Sequence, residues 1–310
     1  MPLYLTESDV DRLLNPRDVT EALEQVFAAQ ARGTAVQEPR VRARLGPHVL
    51  HTLPGIYGLR GKAGLKTYLS GPAGVRFVTL LFDTATGDLE AVVESARLGQ
   101  LRTGCATALA CRLLGAPPGP LALLGTGTVA RGQLEALAAE LALEDVRVWS
   151  RRPESLQAFV EWAGARGLPC RPVSDVRQAV QGARVVVTAT SAAQPILGLE
   201  GLEPPWLVCA VGANWAHRRE IEADLVRQAE LVVVDDVAQA RLEAGDLLAV
   251  PDLDWDRVVP LARLVLDRPS SLPQRLLFKS LGVALEDLAA ASLALDRARS
   301  QGLGQPLVGP

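Results

Sequence analysis

The segment Leu121-Ala-Leu-Leu-Gly125-Thr-Gly127-Thr-Val-Ala130 constrains this 310-residue chain more than any other. A short apolar run, a G-x-G-x-x-A turn and a helical pattern follow one another directly. The first glycine permits a tight turn, and the second lets backbone N–H groups approach a pyrophosphate. The small third residue lets the helix pack close to the strand, and the helix N-terminus adds partial positive charge. Gly125, Thr126, Gly127, Thr128, Val129 and Ala130 are therefore expected to bind a dinucleotide. After the next apolar run, Val146–Trp149, comes Ser150-Arg151-Arg152. An acid at that position would accept hydrogen bonds from the ribose 2′-OH of NAD. A hydroxyl and two guanidinium groups suit a 2′-phosphate instead, so NADP is expected over NAD.

The motif opens an alternation that fixes the fold class. Leu121–Leu124, Val146–Trp149, Arg184–Ala189, Leu207–Val211 and Leu231–Val234 are unbroken apolar runs separated by helical stretches, including Glu154–Arg166 and Asp175–Gln181, with a short strand near Cys170. Strands without alternation are what a parallel sheet covered on both faces requires. The chain before the Pro/Gly stretch at 115–120 reads differently. A helical pattern spans Leu3–Ala31 with Thr6 as N-cap. Alternating runs at Val36–Leu45, Val49–Leu53, Gly64–Leu69, Val75–Asp83 and Leu89–Glu94 follow, broken by Gly and Pro. Ser95–Leu114 returns to helix, and Ser280–Arg299 predicts a long amphipathic helix. The expected architecture is α/β: a Rossmann-type doubly wound parallel sheet over 116–279, and an α+β domain from 1–115 plus 280–310.

Composition excludes several classes. Lys plus Arg total 32 against 35 acids, a net charge of −3 without like-charge runs, so no nucleic-acid footprint is present. No apolar run approaches the roughly eighteen residues of a membrane span, and the start has no signal-peptide character. The sequence predicts a soluble, cytoplasmic protein. Cys105, Cys111, Cys170 and Cys209 lack C-x-x-C spacing and read as reduced thiols. His48-x-x-His51 lacks the acid of a metallohydrolase helix, so no metal is expected. Only three of the basic residues are lysines, Lys62, Lys66 and Lys279. Where arginine serves as the general surface cation, each lysine is a candidate for work that needs a titratable amine.

Several segments together resemble the ornithine cyclodeaminase/μ-crystallin family over about Thr6 to Arg299. They are Gly64-Leu-Lys66, Gln100-Leu-Arg102-Thr-Gly-Cys-Ala-Thr-Ala108, Val211-Gly-Ala-Asn214 with Arg219-Glu220-Ile221, Val234-Asp235 with Glu243-Ala-Gly245-Asp246, and Phe278-Lys-Ser-Leu-Gly282 with Glu286-Asp287. The resemblance implies a homodimer, with the first domain serving substrate binding and dimerisation. It also implies nicotinamide chemistry at the α-carbon of a small amino or imino acid. Arg40, Lys66 and Arg102 match the positions around the substrate carboxylate. Thr79 and Leu281 match positions near the nicotinamide, and Arg102, Thr190 and Val211 complete the expected cofactor set.

Paired guanidiniums can clamp a carboxylate, and Lys66, depressed in pKa by burial beside them, is a candidate proton donor to an imine nitrogen. Cyclodeaminase and alanine dehydrogenase members tend to carry Asp where this chain has Asn214. Asn cannot act as a base at neutral pH, although His217, three residues on, could substitute. The expected activity is therefore NAD(P)H-dependent reduction of a small cyclic imino acid such as Δ1-pyrroline-2-carboxylate. Ornithine cyclodeamination with bound NAD, alanine dehydrogenase chemistry and non-catalytic NADP binding stand as alternatives.

Overall fold

The computed structural model describes residues 1–307. The chain forms two compact units, Met1–Arg102 with the residues from Val283 onward, and Thr103–Gly282. Both boundaries differ from those read in the sequence, 115/116 and 279/280. The first falls inside a helix rather than at the Pro/Gly stretch.

The first unit opens with β1 (Leu3–Leu5), α1 (Glu7–Leu13) and α2 (Pro16–Ala31). The helical stretch expected from Leu3 is thus a strand and two helices. Thr6 caps α1 in a capping box with Asp9. Asn15 caps α2 directly before Pro16, whose missing N–H is tolerated only at a helix start. Next come β2 (Ala35–Gln37), β3 (Val41–Leu45), β4 (His48–Tyr57), β5 (Lys62–Gly71), β6 (Gly74–Asp83) and β7 (Leu89–Glu94). The expected strand Val36–Leu45 is split in two, and β4 runs on through Pro54 and Gly55. Helix α3 (Ala96–Leu113) then leaves this unit. The carboxylate of Glu7 accepts from the backbone N–H of Ala96 (2.7 Å) and Arg97 (2.7 Å) and so completes the helix start.

The second unit runs β8 (Leu121–Leu124), α4 (Thr128–Glu140), β9 (Val146–Trp149), α5 (Pro153–Gly164), β10 (Arg171–Pro172), α6 (Val176–Val180), β11 (Val185–Thr188) and β12 (Trp206–Ala210). It continues with α7 (Ala223–Gln228), β13 (Leu231–Val234), α8 (Val237–Glu243), α9 (Gly245–Leu248), β14 (Val258–Pro260), α10 (Leu261–Leu266) and β15 (Arg275–Lys279). The strand order is β10-β9-β8-β11-β12-β15-β13-β14, and every pairing is parallel. Successive strands depart to opposite sides of β8, so the order reverses between β8 and β11, the place where such sheets bind ligands. Val186, Val187, Val208 and Phe278 are fully buried in the strand layer. The α/β class and Rossmann-type sheet follow from those apolar runs. Strand β15, in contrast, was hidden in the sequence because its short Leu-Leu-Phe run is flanked by Arg and Lys.

The chain then returns to the first unit as α11 (Ala284–Gln301) and β16 (Gln305–Pro306). The first unit's sheet has the order β16-β1-β7-β6-β5-β4-β2, with β3 also on β4. Helix α11 starts later than the predicted Ser280 and is not amphipathic. Leu285, Glu286, Asp287, Leu288, Ala291 and Leu295 are all buried, because α2 and the sheet enclose it. Gly64 permits this approach: a Cβ there would sit 2.1 Å from the Leu80 carbonyl oxygen and 2.8 Å from Leu288.

Within the second unit, α3 comes close to α4 at Gly104. A Cβ on Gly104 would sit 2.1 Å from the carbonyl oxygen of Gly132. Backbone cannot give way there as a side chain can. Gly104→Val is expected to lower stability by about 1–3 kcal/mol through overpacking, seen as a lower denaturant midpoint at unchanged m value. An unchanged midpoint would mean that α3 and α4 pack less tightly than described.

Candidate functional site

Antiparallel register in the first unit builds one row of side chains. Leu53 on β4 lies opposite Lys66 on β5, Lys66 opposite Thr79 on β6, and Thr79 opposite Val93 on β7. Directly opposed residues share a face, and this face is the one covered by α11. Lys66 is only 3% exposed, and Thr79 is fully buried. The Ser95 hydroxyl lies 2.7 Å from the Val93 carbonyl and 2.8 Å from the Thr79 hydroxyl. A hydroxyl has one proton and the carbonyl can only accept, so Ser95 donates to Val93 and Thr79 donates to Ser95.

The first turn of α11 supplies the anions for this row. Lys66 Nζ and Arg102 Nε each lie 3.0 Å from the same oxygen, Oδ1 of Asp287, and Arg102 Nη1 pairs with Glu286. Both carboxylates are fully buried, at the helix end whose dipole favours negative charge. With two nitrogens committed to α11, the plane of the Arg102 guanidinium is fixed. Gly99 makes room for the amine, because a Cβ there would lie 2.7 Å from Lys66 Nζ. Lys66 also stands over the Phe77 ring at 5.2 Å. Burial pushes its pKa down to about 8. The charge of Asp287 opposes that shift, while the guanidiniums of Arg102 and Arg40 add to it. Arg40, just before β3, is itself buried.

The neighbouring row on the same face holds His51 opposite Tyr68, and Tyr68 opposite Phe77. His51 stacks on Tyr68 at 4.2 Å. Burial, together with Arg42, Arg40 and Arg44, pushes the His51 pKa down to about 4, so the ring is neutral near neutrality. His48 is exposed and three residues away on a strand, hence on the opposite face from His51. Among the described residues no group of three His, Cys, Asp or Glu side chains is placed to hold a metal.

In the second unit the motif glycines follow β8. Gly125 has φ +124°, and a Cβ there would meet the Ala189 carbonyl oxygen at 2.3 Å. Gly127 is the N-cap of α4, with open space where a Cβ would stand and no side chain capping the helix. Thr128 and Val129 open the helix, and Ala130 is buried against the sheet. This is a cradle of backbone N–H groups suited to a pyrophosphate. The Thr126 hydroxyl is 3.1 Å from that of Ser150, which links the turn to the end of β9. Arg151 and Arg152 are exposed beside it.

Thr190, Val211, Asn214 and Leu281 all belong to this second unit, as does His217, which is exposed and lies beside Trp215. Lys66, Arg40, Arg102 and Thr79 belong to the first. Sequence reasoning assigned no role to Asp287, Glu286, Ser95 or Gly99, although Glu286-Asp287 stood among the quoted motifs. The scarcity of lysine was the more useful signal. Lys62 pairs with Glu90 at 2.5 Å, Lys66 with Asp287, and the fully buried Lys279 with Asp246 at 2.9 Å.

Comparison with known proteins places these features in a family. Residues 2–302 match the ornithine cyclodeaminase/mu-crystallin family. The chain is 36% identical over 277 residues to a Delta(1)-pyrroline-2-carboxylate/Delta(1)-piperideine-2-carboxylate reductase of Azospirillum brasilense, covering 87% of this chain and 83% of that one. The structure of Thermococcus litoralis Delta(1)-pyrroline-2-carboxylate reductase with NADH and L-proline superposes with a TM-score of 0.93 at 25% identity, covering 98% of this chain and 100% of that one. An archaeal alanine dehydrogenase dimer with bound NAD gives 0.91 at 26% identity, covering 99% of each. From its sequence match and from the fold, this chain belongs to the ornithine cyclodeaminase/mu-crystallin family.

Proposed function

We propose that this protein is an imino acid reductase that uses a nicotinamide dinucleotide to reduce a small cyclic imine such as Δ1-pyrroline-2-carboxylate at its α-carbon. The observation that carries this reading is the buried amine of Lys66, sharing the Asp287 carboxylate with Arg102. Arg40 and Arg102 bind the substrate carboxylate and fix the α-carbon. Lys66, still protonated at neutral pH but close to its pKa, delivers the proton to the imine nitrogen. Bound cofactor would supply hydride to the α-carbon. Thr79, Leu281, Thr190 and Val211 are assigned to its nicotinamide half, and the glycine turn to the rest. The 36% identical relative named for pyrroline- and piperideine-2-carboxylate reduction supports this substrate class. Asn214 argues against cyclodeamination, because an amide cannot take up the proton that deamination releases.

Ser150, Arg151 and Arg152 favour NADPH over NADH. The outer face of the first unit's sheet supports a homodimer. Val36, Val41, Leu45, Leu50, Ile56 and Leu69 are exposed there, more than isolated surface apolar residues would explain. The dimeric archaeal relative points the same way.

The direct test offers the protein Δ1-pyrroline-2-carboxylate with NADPH, beside L-ornithine with NAD⁺. Oxidation of NADPH without ammonia from ornithine is expected, and ammonia release with no net cofactor change would overturn the reading. Lys66→Met should lower kcat by about a hundredfold or more, the usual scale of acid–base catalysis. For the wild type, kcat/KM should fall as pH rises through about 8, where Lys66 loses its proton. Asp287→Asn removes the charge that retains the proton, so the break should move to lower pH. Full turnover by Lys66→Met would remove the proton-donor role. Replacing Arg151 and Arg152 together by Ala should raise KM for NADPH by about tenfold or more while sparing NADH, as loss of charge-assisted phosphate contacts requires. Equal effects on both cofactors would discard the NADPH preference.

A further inference from the structure

Behind the C-terminal edge of the parallel sheet lies a polar lattice that the reaction above does not use. Glu220 is fully buried, and its carboxylate gathers four donors. Oε1 accepts from the Thr190 N–H (2.7 Å) and the Thr190 hydroxyl (2.7 Å), and Oε2 from the Thr188 hydroxyl (3.0 Å) and the Gly212 N–H (2.6 Å). These donors lie at the end of β11 and in the turns after β11 and β12, the two strands beyond the reversal of strand order. The approach is tight, since a Cβ on Gly212 would lie 2.3 Å from the Thr190 carbonyl oxygen and 2.5 Å from Glu220.

Glu220 is in turn held from behind. Asp246 Oδ1 accepts from the backbone N–H of Glu220 (2.6 Å) and Ile221 (3.1 Å). Lys279, at the end of β15, pairs with Asp246 and donates to the Ala213 carbonyl (2.5 Å), next to Asn214. Three fully buried ionisable groups are an expensive way to fill a core, which apolar side chains fill at less cost. What they fix is the backbone of two turns on the side of the sheet where doubly wound folds hold ligands.

We propose that Glu220 is a positioning residue that sets the Thr190 and Gly212–Asn214 turns to receive the nicotinamide half of the dinucleotide, with Asp246 and Lys279 holding it in place. The assignment rests on the reading that a nicotinamide dinucleotide binds this edge. Its donors also define a selective test. In Glu220→Gln one carboxylate oxygen becomes an NH₂. Whichever way the amide turns, that NH₂ faces a backbone N–H, of Thr190 or of Gly212, so one turn loses its acceptor. The adenine half, assigned to the Gly125–Ala130 turn and to Ser150–Arg152, keeps its contacts.

The full-length wild type and Glu220→Gln would be titrated with NADPH and with 2′-phospho-ADP-ribose, its fragment without nicotinamide. NADH and ADP-ribose form a second pair. Reduced cofactor is followed by its own fluorescence and the fragments by calorimetry. We expect Kd for NADPH to rise about tenfold, the scale of one lost hydrogen bond to a charged group, with Kd for the fragment unchanged. An unchanged NADPH Kd, or equal weakening of cofactor and fragment, would overturn the proposal, the second result indicating only a structural role. Should Glu220→Gln fail to fold, Thr188→Val removes a single hydroxyl donor to the same carboxylate, and the same selective loss, smaller in size, is required. Wild type that binds NADPH yet does not reduce Δ1-pyrroline-2-carboxylate would overturn the imino acid reading and leave this one standing.

Discussion

One oxygen of Asp287 holds the first unit's site together. Lys66 comes from the middle of an antiparallel sheet, Arg102 from a helix that leaves the unit, and Asp287 from the helix that returns to it. Two buried cations so close would repel each other strongly without a carboxylate between them. Losing one partner of a buried ion cluster generally costs about 3–5 kcal/mol. The cluster therefore ties the return of α11 to the geometry of the amine. Gly64 and Gly99 serve the same end, one admitting the helix and the other making room for the amine.

The second unit solves a related problem with backbone groups. Its parallel strands end in turns whose N–H groups would be orphaned in the interior. Glu220, Asp246 and Asp235 accept them. Asp235 takes the Leu281 N–H (2.5 Å) and Gly282 N–H (2.8 Å), as Glu220 takes those of Thr190 and Gly212. Along the edge of a sheet covered on both faces, buried acids do what capping side chains do at helix ends. At Gly127 the opposite choice is made: the helix start is left uncapped and open, as an anion site requires.

Much of this was legible in the sequence, because local rules and the global fold agree. The apolar runs at Leu121–Leu124, Val146–Trp149 and Leu231–Val234 are strands with the expected limits, and Thr6 caps where a threonine before acids should. What escaped depends on distant partners. Leu3–Leu5 is a strand because β7 and β16 lie beside it, and α11 lost its polar face because a sheet and α2 cover it. Glu286 and Asp287 stood among the quoted motif residues without a role. Their value comes from Lys66 and Arg102, roughly two hundred positions away in the chain, a relation that no local pattern encodes. The scarcity of lysine was the one compositional clue to that chemistry. Arginine keeps its proton at any physiological pH and cannot replace an amine that must give one up.

The same scarcity makes the central claim measurable without turnover. With ε-¹³C-labelled lysine the protein gives signals from Lys62, Lys66 and Lys279, and the spectrum of Lys66→Met identifies the one that matters. Titrated in the folded protein, the Lys66 signal should move with a midpoint at about 8, because burial and two guanidiniums outweigh the charge of Asp287. A midpoint at the ordinary lysine value of 10.5 would mean that the amine is a fixed cation serving only to hold a carboxylate, and the proton-delivery account would fall.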